Sequence, residues 1–282
     1  MTEEWRLLLD GAATGAHNMA VDEALLDSVQ QPTLRFYSWQ PYALSLGYFQ
    51  DAQTVDFAVC ASEGIDVVRR PTGGRAILHA QEVTYSIALP PQHPLTDVGV
   101  AESYRYLSRG LLRGLALLGL RAELAKKPVS SQGRAHAHRS EAGVAAACFD
   151  APSWYELVVA GHKVVGSAQV RRKGALLQHG SVPLWLEPER LYGVLRFRSE
   201  QNRERAAKKL GTSAAGLAQL IGRSVSFDEG VSALISGFEE ALRVKTSVSS
   251  LSPDEHKMTQ ALEVKHRSQA WIARRHEGST RP

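Results

Sequence analysis

Cysteine is scarce in this chain: Cys60 and Cys148 are the two present in 282 residues. Two thiols cannot build the bridge framework that small secreted folds rely on, and no Cys/His spacing matches a zinc site. No apolar run approaches the roughly 20 residues of a membrane helix. The first residues, "MTEEWRLLLDG", are acidic where a secretory leader is basic. These absences predict a cytoplasmic protein with reduced thiols. A large excess of one charge is also missing, since 33 Lys and Arg stand against 29 Asp and Glu for a net of +4. That balance excludes the basic stripe of a nucleic-acid binder and points, weakly, to acidic protein partners.

What is present is ordinary for a globular protein, with 44% hydrophobic residues. "HNMAVDEALLDSVQ" sets Val21, Ala24, Leu25 and Val29 on one face and predicts a helix starting at Asn18. Strands are predicted in "TLRFYSW", "ALSLGYFQ", "IDVVRR" and "VTYSIALP". Residues 100–118 carry Tyr104, Leu107, Leu111, Leu115 and Leu118 at helical spacing, so a long amphipathic helix follows. Residues 126–147 then lose all apolar period and predict a long loop. Its "GRAHAHRS" stretch reads as a solvated segment in preference to a metal-binding tract.

After that loop, "WYELVVAGHKVVGSAQVRR" predicts a hairpin turning at "AGHK", and "GALLQHGSVPLWL" a further strand. From Glu187 onward the signals are helical, and Ser252, Pro253 and Glu255 predict the cap of a last helix. The order is α+β, with mixed sheets packed against helices. A catalytic domain is expected over residues 1–245, with a helical extension and frayed tail over 246–282.

The densest chemistry lies in "RRPTGGRAILH", residues 69–79. Gly73 and Gly74 permit close backbone approach, while Arg69, Arg70 and Arg75 bring fork-shaped donors. A plain tight turn between strands would look similar. No Gly-Lys-Ser/Thr follows, so this is not a Walker loop. Cys148 stands between the long loop and a strand, with Asp150 and Pro152 after it, whereas Cys60 sits in an apolar helical setting and reads as structural. Lys163 follows the hairpin turn, where lysines are commonly solvated.

Taken in order, "NMAVDEALL", "RRPTGGRAILH", "VTYS", "CFDAPSWYELVV" and "GHKVVGSAQVRRKGALLQHGSVPL" resemble the biotin/lipoate protein ligase and transferase superfamily. The resemblance spans about residues 5–245 and is closest to its ATP-independent octanoyltransferases. It implies a biotin/lipoyl ligase-like catalytic domain that takes an octanoyl group from acyl carrier protein. The acceptor implied is a lysine of a lipoyl domain, usually glycine cleavage protein H, in lipoate biosynthesis. It implies Cys148 as the acyl carrier and Lys163 as the residue that lowers the thiol's pKa. No cofactor, metal or ATP is implied, because the donor thioester is already activated.

Backbone around Gly73, Gly74 and His79, with Gly166, Ser167 and Ala168 facing it, is expected to line the acyl pocket. Arg70 and Arg75 are expected near the docked pantetheine or its carrier, and the enzyme is expected to be a monomer. Three other readings stay open. An ATP-dependent ligase shares the loop and lysine but has a third glycine where Arg75 stands. An amidotransferase between lipoyl domains would use the same cysteine and lysine. A non-catalytic lipoyl-domain binder would have no need of either.

Overall fold

The computed structural model describes residues 2–125 and 156–274. Cys148 and the expected loop over 126–147, including its histidine tract, lie outside the described residues. In chain order the first described part contains β1 (Glu3–Ala13), α1 (Gly15–Ser28), β2 (Thr33–Trp39), β3 (Ala43–Leu46), α2 (Phe57–Ser62) and β4 (Asp66–Arg69). It continues with β5 (Ile77–His79), β6 (Glu82–Leu89), α3 (Pro94–Asp97), α4 (Val100–Leu117) and β7 (Ala122–Leu124). The second part contains β8 (Leu157–Val159), β9 (His162–Arg172), β10 (Ala175–Pro183), α5 (Pro188–Gly193), α6 (Glu200–Ser213) and α7 (Leu217–Ile221). It ends with α8 (Phe227–Leu242), β11 (Val244–Ser249), α9 (Pro253–Arg267) and α10 (Gln269–Ile272).

A large mixed sheet runs in the order β11-β1-β2-β6-β10-β9-β8-β7, and a small one in the order β4-β3-β5. The period of two along each strand sends alternate residues to opposite faces. Leu7, Ile87 and Leu176 therefore meet Leu107, Leu111 and Leu115 of α4 and Leu234 and Phe238 of α8. Their neighbours Leu8, Ala88 and Leu177 meet Val21, Leu25 and Leu26 of α1. The two helices on the first face touch at backbone level. A Cβ on Gly110 would lie 2.1 Å from the Phe238 ring, and one on Gly237 would lie 2.3 Å from the Gly114 nitrogen.

The predicted amphipathic helix is α4, and the predicted hairpin is β8–β9, turning through Ala160 and Gly161 at positive φ. The capping box of Ser252 and Glu255 opens α9 as expected. Helix α1, however, begins at Gly15, with Thr14 as its cap. Asn18 is polar for another reason. It is buried inside the helix, where its amide donates to the Ala13 and Ser38 carbonyls and its oxygen accepts from Arg35. The purely helical reading after Glu187 is corrected by β11, whose β-branched Val244, Thr246 and Val248 alternate along a strand parallel to β1. The boundary expected near residue 245 falls inside that strand.

Helix α9 lies against α1 around one buried carboxylate, Glu23. Lys265 reaches it at 2.6 and 2.7 Å, His266 at 2.8 Å and Arg172 at 2.9 Å. Burial alone would raise this group, but the hydrogen bonds from His266, Lys265 and Arg172 outweigh burial and hold it at about 2. A depressed folded value contributes stability that is present above the unfolded value and lost as pH falls through the folded one. Glu23→Gln is expected to lower unfolding free energy at pH 7 by about 1–3 kcal/mol. In urea titrations the gap from the parent should shrink as pH falls from the ordinary glutamate value of 4.5 to about 2. A gap that persists undiminished at the acid end would refute the ionic account.

Candidate active site

The arginine–glycine stretch connects β4 to β5, and its first two arginines turn inward. Arg69 is fully buried. Its guanidinium donates to the carbonyls of Gly47, Tyr48 and Gln50 on one side and of Trp271 and Ile272 on the other. Arg70 donates to the carbonyls of Ser45, Gly73 and Arg75 and to the Ser45 hydroxyl. Gly74 has φ of 94°, in the left-handed region, and its carbonyl approaches Gly47 so closely that a Cβ there would sit 1.9 Å from it. Gly74 thus supplies a backbone conformation, and Gly47 supplies room.

Between the two sheets lies a small pocket. Met19, Tyr37, Trp39 and Ile77 form its apolar wall, and Arg70, Ser45 and His79 close one side. Gly166, Ser167 and Ala168 of β9 face them, paired in register with Ser181, Gly180 and His179 of β10. Arg70, His79, Gly166, Ser167 and Ala168 were all expected here from sequence. Gly73, Gly74 and Arg75 are not among the lining residues; the Gly73 and Arg75 carbonyls hold Arg70 instead.

Two hydroxyl–imidazole–carboxylate chains flank the pocket. In the first, His179 Nδ1 meets Asp22 at 2.8 Å and Nε2 meets the Thr72 hydroxyl at 2.6 Å. In the second, His79 Nδ1 meets Glu82 at 2.7 Å and Nε2 meets the Ser45 hydroxyl at 2.8 Å. A carboxylate beside Nδ1 fixes the proton there, so each Nε2 accepts from its hydroxyl. Burial lowers the pKa of His179, which leaves its imidazole neutral. Burial would raise the Asp22 carboxyl, but the His179 hydrogen bond and the Arg35 guanidinium 2.9 Å away outweigh it and keep the carboxyl below its usual range. Trp39 stacks on the His79 ring with centroids 4.0 Å apart, and its indole N–H donates to Thr84. Glu82 also accepts from the Thr84 and Ser181 hydroxyls.

Sequence reasoning missed Asp22, Ser45, Thr72, Glu82 and His179. Asp22 and His179 lie 157 positions apart, so spacing gave no signal. Lys163, expected from sequence, is buried and forms an ion pair of 2.8 Å with buried Glu156. It does not line the pocket itself, but shares β9 with Gly166 three residues on. Cys60 is buried, and burial, then Asp56 and Glu63, push its thiol up to about 11. Among the described residues there is no group of three or more His, Cys, Asp or Glu side chains arranged to hold a metal ion, and no helix long and apolar enough to cross a membrane.

A small, mostly apolar pocket between a large and a small sheet, bordered by Arg70 of the arginine–glycine loop and faced by a Gly-Ser-Ala strand, is the centre of the site. The chain belongs to the lipoyl protein ligase A/B catalytic domain family, whose pattern matches residues 14–239. It is similar to the octanoyltransferase LipM of Kyrpidia tusciae, with 45% identity over 97% of this chain and 100% of that one. The octanoyltransferase LipM of Bacillus subtilis is 41% identical over 97% and 99% of the two chains. Among solved structures, a bipartite lipoate protein ligase from Thermoplasma acidophilum, described with its E2 lipoyl domain, matches with a TM-score of 0.79 and 25% identity. That match covers 99% of this chain and 100% of the other. A lipoate-protein ligase A bound with ATP matches with a TM-score of 0.73 and 26% identity, over 96% and 98% of the chains.

Two substitutions check this geometry. Gly47→Ala places a carbon against an immovable carbonyl, so the loop carrying Arg70 and Thr72 must shift, and displacement by about 1 Å commonly costs on the order of 100-fold in rate. Acyl transfer should fall by that order, and unchanged transfer would mean that the loop's position is immaterial. Cys60→Ser should leave transfer within twofold of the parent. Native Cys60 should also alkylate slowly at neutral pH in peptide mass mapping, since a thiol held near 11 is scarcely ionised there.

Proposed function

We propose that this cytoplasmic, monomeric protein moves an octanoyl group from octanoyl-acyl-carrier-protein to a lysine of a lipoyl domain, with glycine cleavage protein H as the main acceptor. The near full-length similarity to octanoyltransferases carries the reading. The pocket between Trp39 and Gly166–Ala168 supplies a mostly apolar enclosure. A ligase described together with a lipoyl domain shares the fold, which supports a lipoyl domain as acceptor.

The reaction proceeds in two exchanges. The Cys148 thiolate attacks the acyl carbonyl, forms a thioester and expels the pantetheine sulfur, which leaves as a thiol after taking a proton. The neutral amine of the acceptor lysine then attacks the enzyme thioester, forms an amide, loses a proton and releases the Cys148 thiolate. The first exchange is nearly balanced and the second runs downhill, so ATP has no step to drive. Arg75, standing where ATP-dependent ligases have a third glycine, favours this reading over the ligase one. The protein has to supply position and a place for the developing oxyanion. Backbone of the Gly166–Ala168 strand is the nearest candidate for that place.

Lys163 acts as a fixed positive charge that favours the Cys148 thiolate, and Glu156 sets its orientation. An opposite charge within about 4–6 Å moves a thiol pKa by about 1–3 units. Intact mass after mixing with octanoyl-acyl-carrier-protein, without ATP, should show one octanoyl group that neutral hydroxylamine removes and that Cys148→Ala abolishes. Acylation of the Cys148→Ala variant, or transfer that requires free octanoate and ATP, would overturn the mechanism. Lys163→Ala should slow iodoacetamide alkylation of Cys148 at neutral pH by about tenfold or more, with recovery at high pH. Glu156→Gln should shift the alkylation profile the other way.

A further inference from the structure

Three cavities share wall residues in succession. The acyl pocket shares Ser181 with a second, small cavity, which is also lined by Glu82, Leu78 and Gln81 and extends to Trp185 and Leu186. That cavity shares Trp185, Leu186 and Glu187 with an open surface groove, which is also lined by His162 and by Gly211, Ala214 and Ala215. Ser181 is thus the wall between the acyl pocket and the middle cavity, and Trp185, Leu186 and Glu187 the wall between that cavity and the groove. Trp185 stands at the outer mouth, 48% exposed. The Glu82 carboxylate, held by His79, Thr84 and Ser181, stands at the inner neck.

The groove itself carries Glu187, Glu189 and Arg190, and the basic excess lies on the helix that leads to its Gly211 and Ala214 wall. Residues 196–209 hold six basic side chains and two acidic ones, an excess equal to the +4 of the whole chain. Helix α6 buries Ala206, Ala207 and Leu210 against the core. Its outer face presents Arg205, Lys208 and Lys209, at i, i+3 and i+4, all exposed. Glu200, one of the two acidic residues, is paired with Arg203 on the same helix. Just past the end of α6, the Ala215 N–H donates to the Lys163 carbonyl at 3.1 Å. The basic helix therefore abuts the strand that carries Lys163.

Resting on the transfer reaction given under Proposed function, we propose that the basic face of α6 is the docking surface of the acidic carrier protein that brings the acyl thioester. Its flexible arm enters beside Trp185 and reaches the acyl pocket past Glu82 and Ser181. The tether argues for the donor over the acceptor. A lysine side chain has a four-carbon stem, and the intermediate cavity separates the surface groove from the acyl pocket. A long, slim arm can cross it. The indole of Trp185 gives that arm an apolar surface at the entrance, and scattered exposed cations give fast, salt-sensitive encounter with release after each turnover.

The test separates docking from chemistry. Binding of fluorescently labelled acyl carrier protein is measured by anisotropy against the parent and the double variant Arg205→Glu, Lys208→Glu. Self-acylation from a small octanoyl thioester without a carrier, and transfer from preloaded enzyme to a lipoyl domain, are measured in parallel. Carrier affinity and carrier-dependent loading are expected to drop about tenfold or more at low salt and to converge with the parent near 1 M salt. Loading from the small thioester and transfer onward should stay within twofold. Unchanged carrier affinity would overturn the proposal, as would a defect confined to transfer onto the lipoyl domain, which would assign the face to the acceptor. Trp185→Ala tests the route: carrier bearing its arm should bind the parent more tightly than carrier without it, and the variant should lose that difference. A difference retained in full would overturn the route. Failure of the parent to acylate from either donor, with carrier binding intact, would refute the transfer reaction and leave the docking surface standing.

Discussion

The Arg69 guanidinium is the point at which three distant pieces of chain become one object. A buried cation must have its N–H groups satisfied, and here backbone carbonyls do it, from the segment after β3 and from α10. Trp271 closes the circuit by donating its indole N–H to the Arg69 carbonyl. With Arg69 fixed, Arg70 is aimed at Ser45 and the turn that follows, and Thr72 is brought to His179. The side of the pocket closed by Arg70 is therefore held by hydrogen bonds to main chain, which leave little freedom for the loop to drift.

The imidazole chains make the same point from the other direction. Each histidine is wedged between a carboxylate and a hydroxyl, and both carboxylates have further engagements: Asp22 with Arg35 and Tyr37, Glu82 with Thr84 and Ser181. Such networks fix ring orientation and tautomer, so the polar rim of an otherwise apolar pocket has one arrangement. An acyl chain entering there meets a shape that is already set.

Much of this was legible in the sequence where a local signal exists. The α4 stripe, the hairpin turn at Ala160 and Gly161 and the Ser252–Glu255 box each depend on residues within a few positions of one another. The pocket residues His79 and Gly166–Ala168 came from family resemblance, since nothing local distinguishes them. What stayed hidden depends on long-range partners. Asn18 reads as a cap until β1 and β2 supply its carbonyls, and β11 reads as part of a helical region until β1 gives it a neighbour. The arginines of the loop read as donors for a docked ligand, and that Arg69 is spent on main chain stayed hidden because its carbonyl partners lie up to 203 positions away.

That separation also bears on how the molecule is made. Synthesis runs from the N-terminus and domains fold as units during it, yet β1 receives β11, Glu23 receives Lys265 and His266, and Arg69 receives Trp271 and Ile272, all from the final stretch of chain. A nascent chain that has already threaded its arginine loop holds that loop without its second clamp until the last helix leaves the ribosome. A chain broken off before Trp271 would carry every pocket-lining residue yet lack the Trp271 and Ile272 half of the clamp on Arg69.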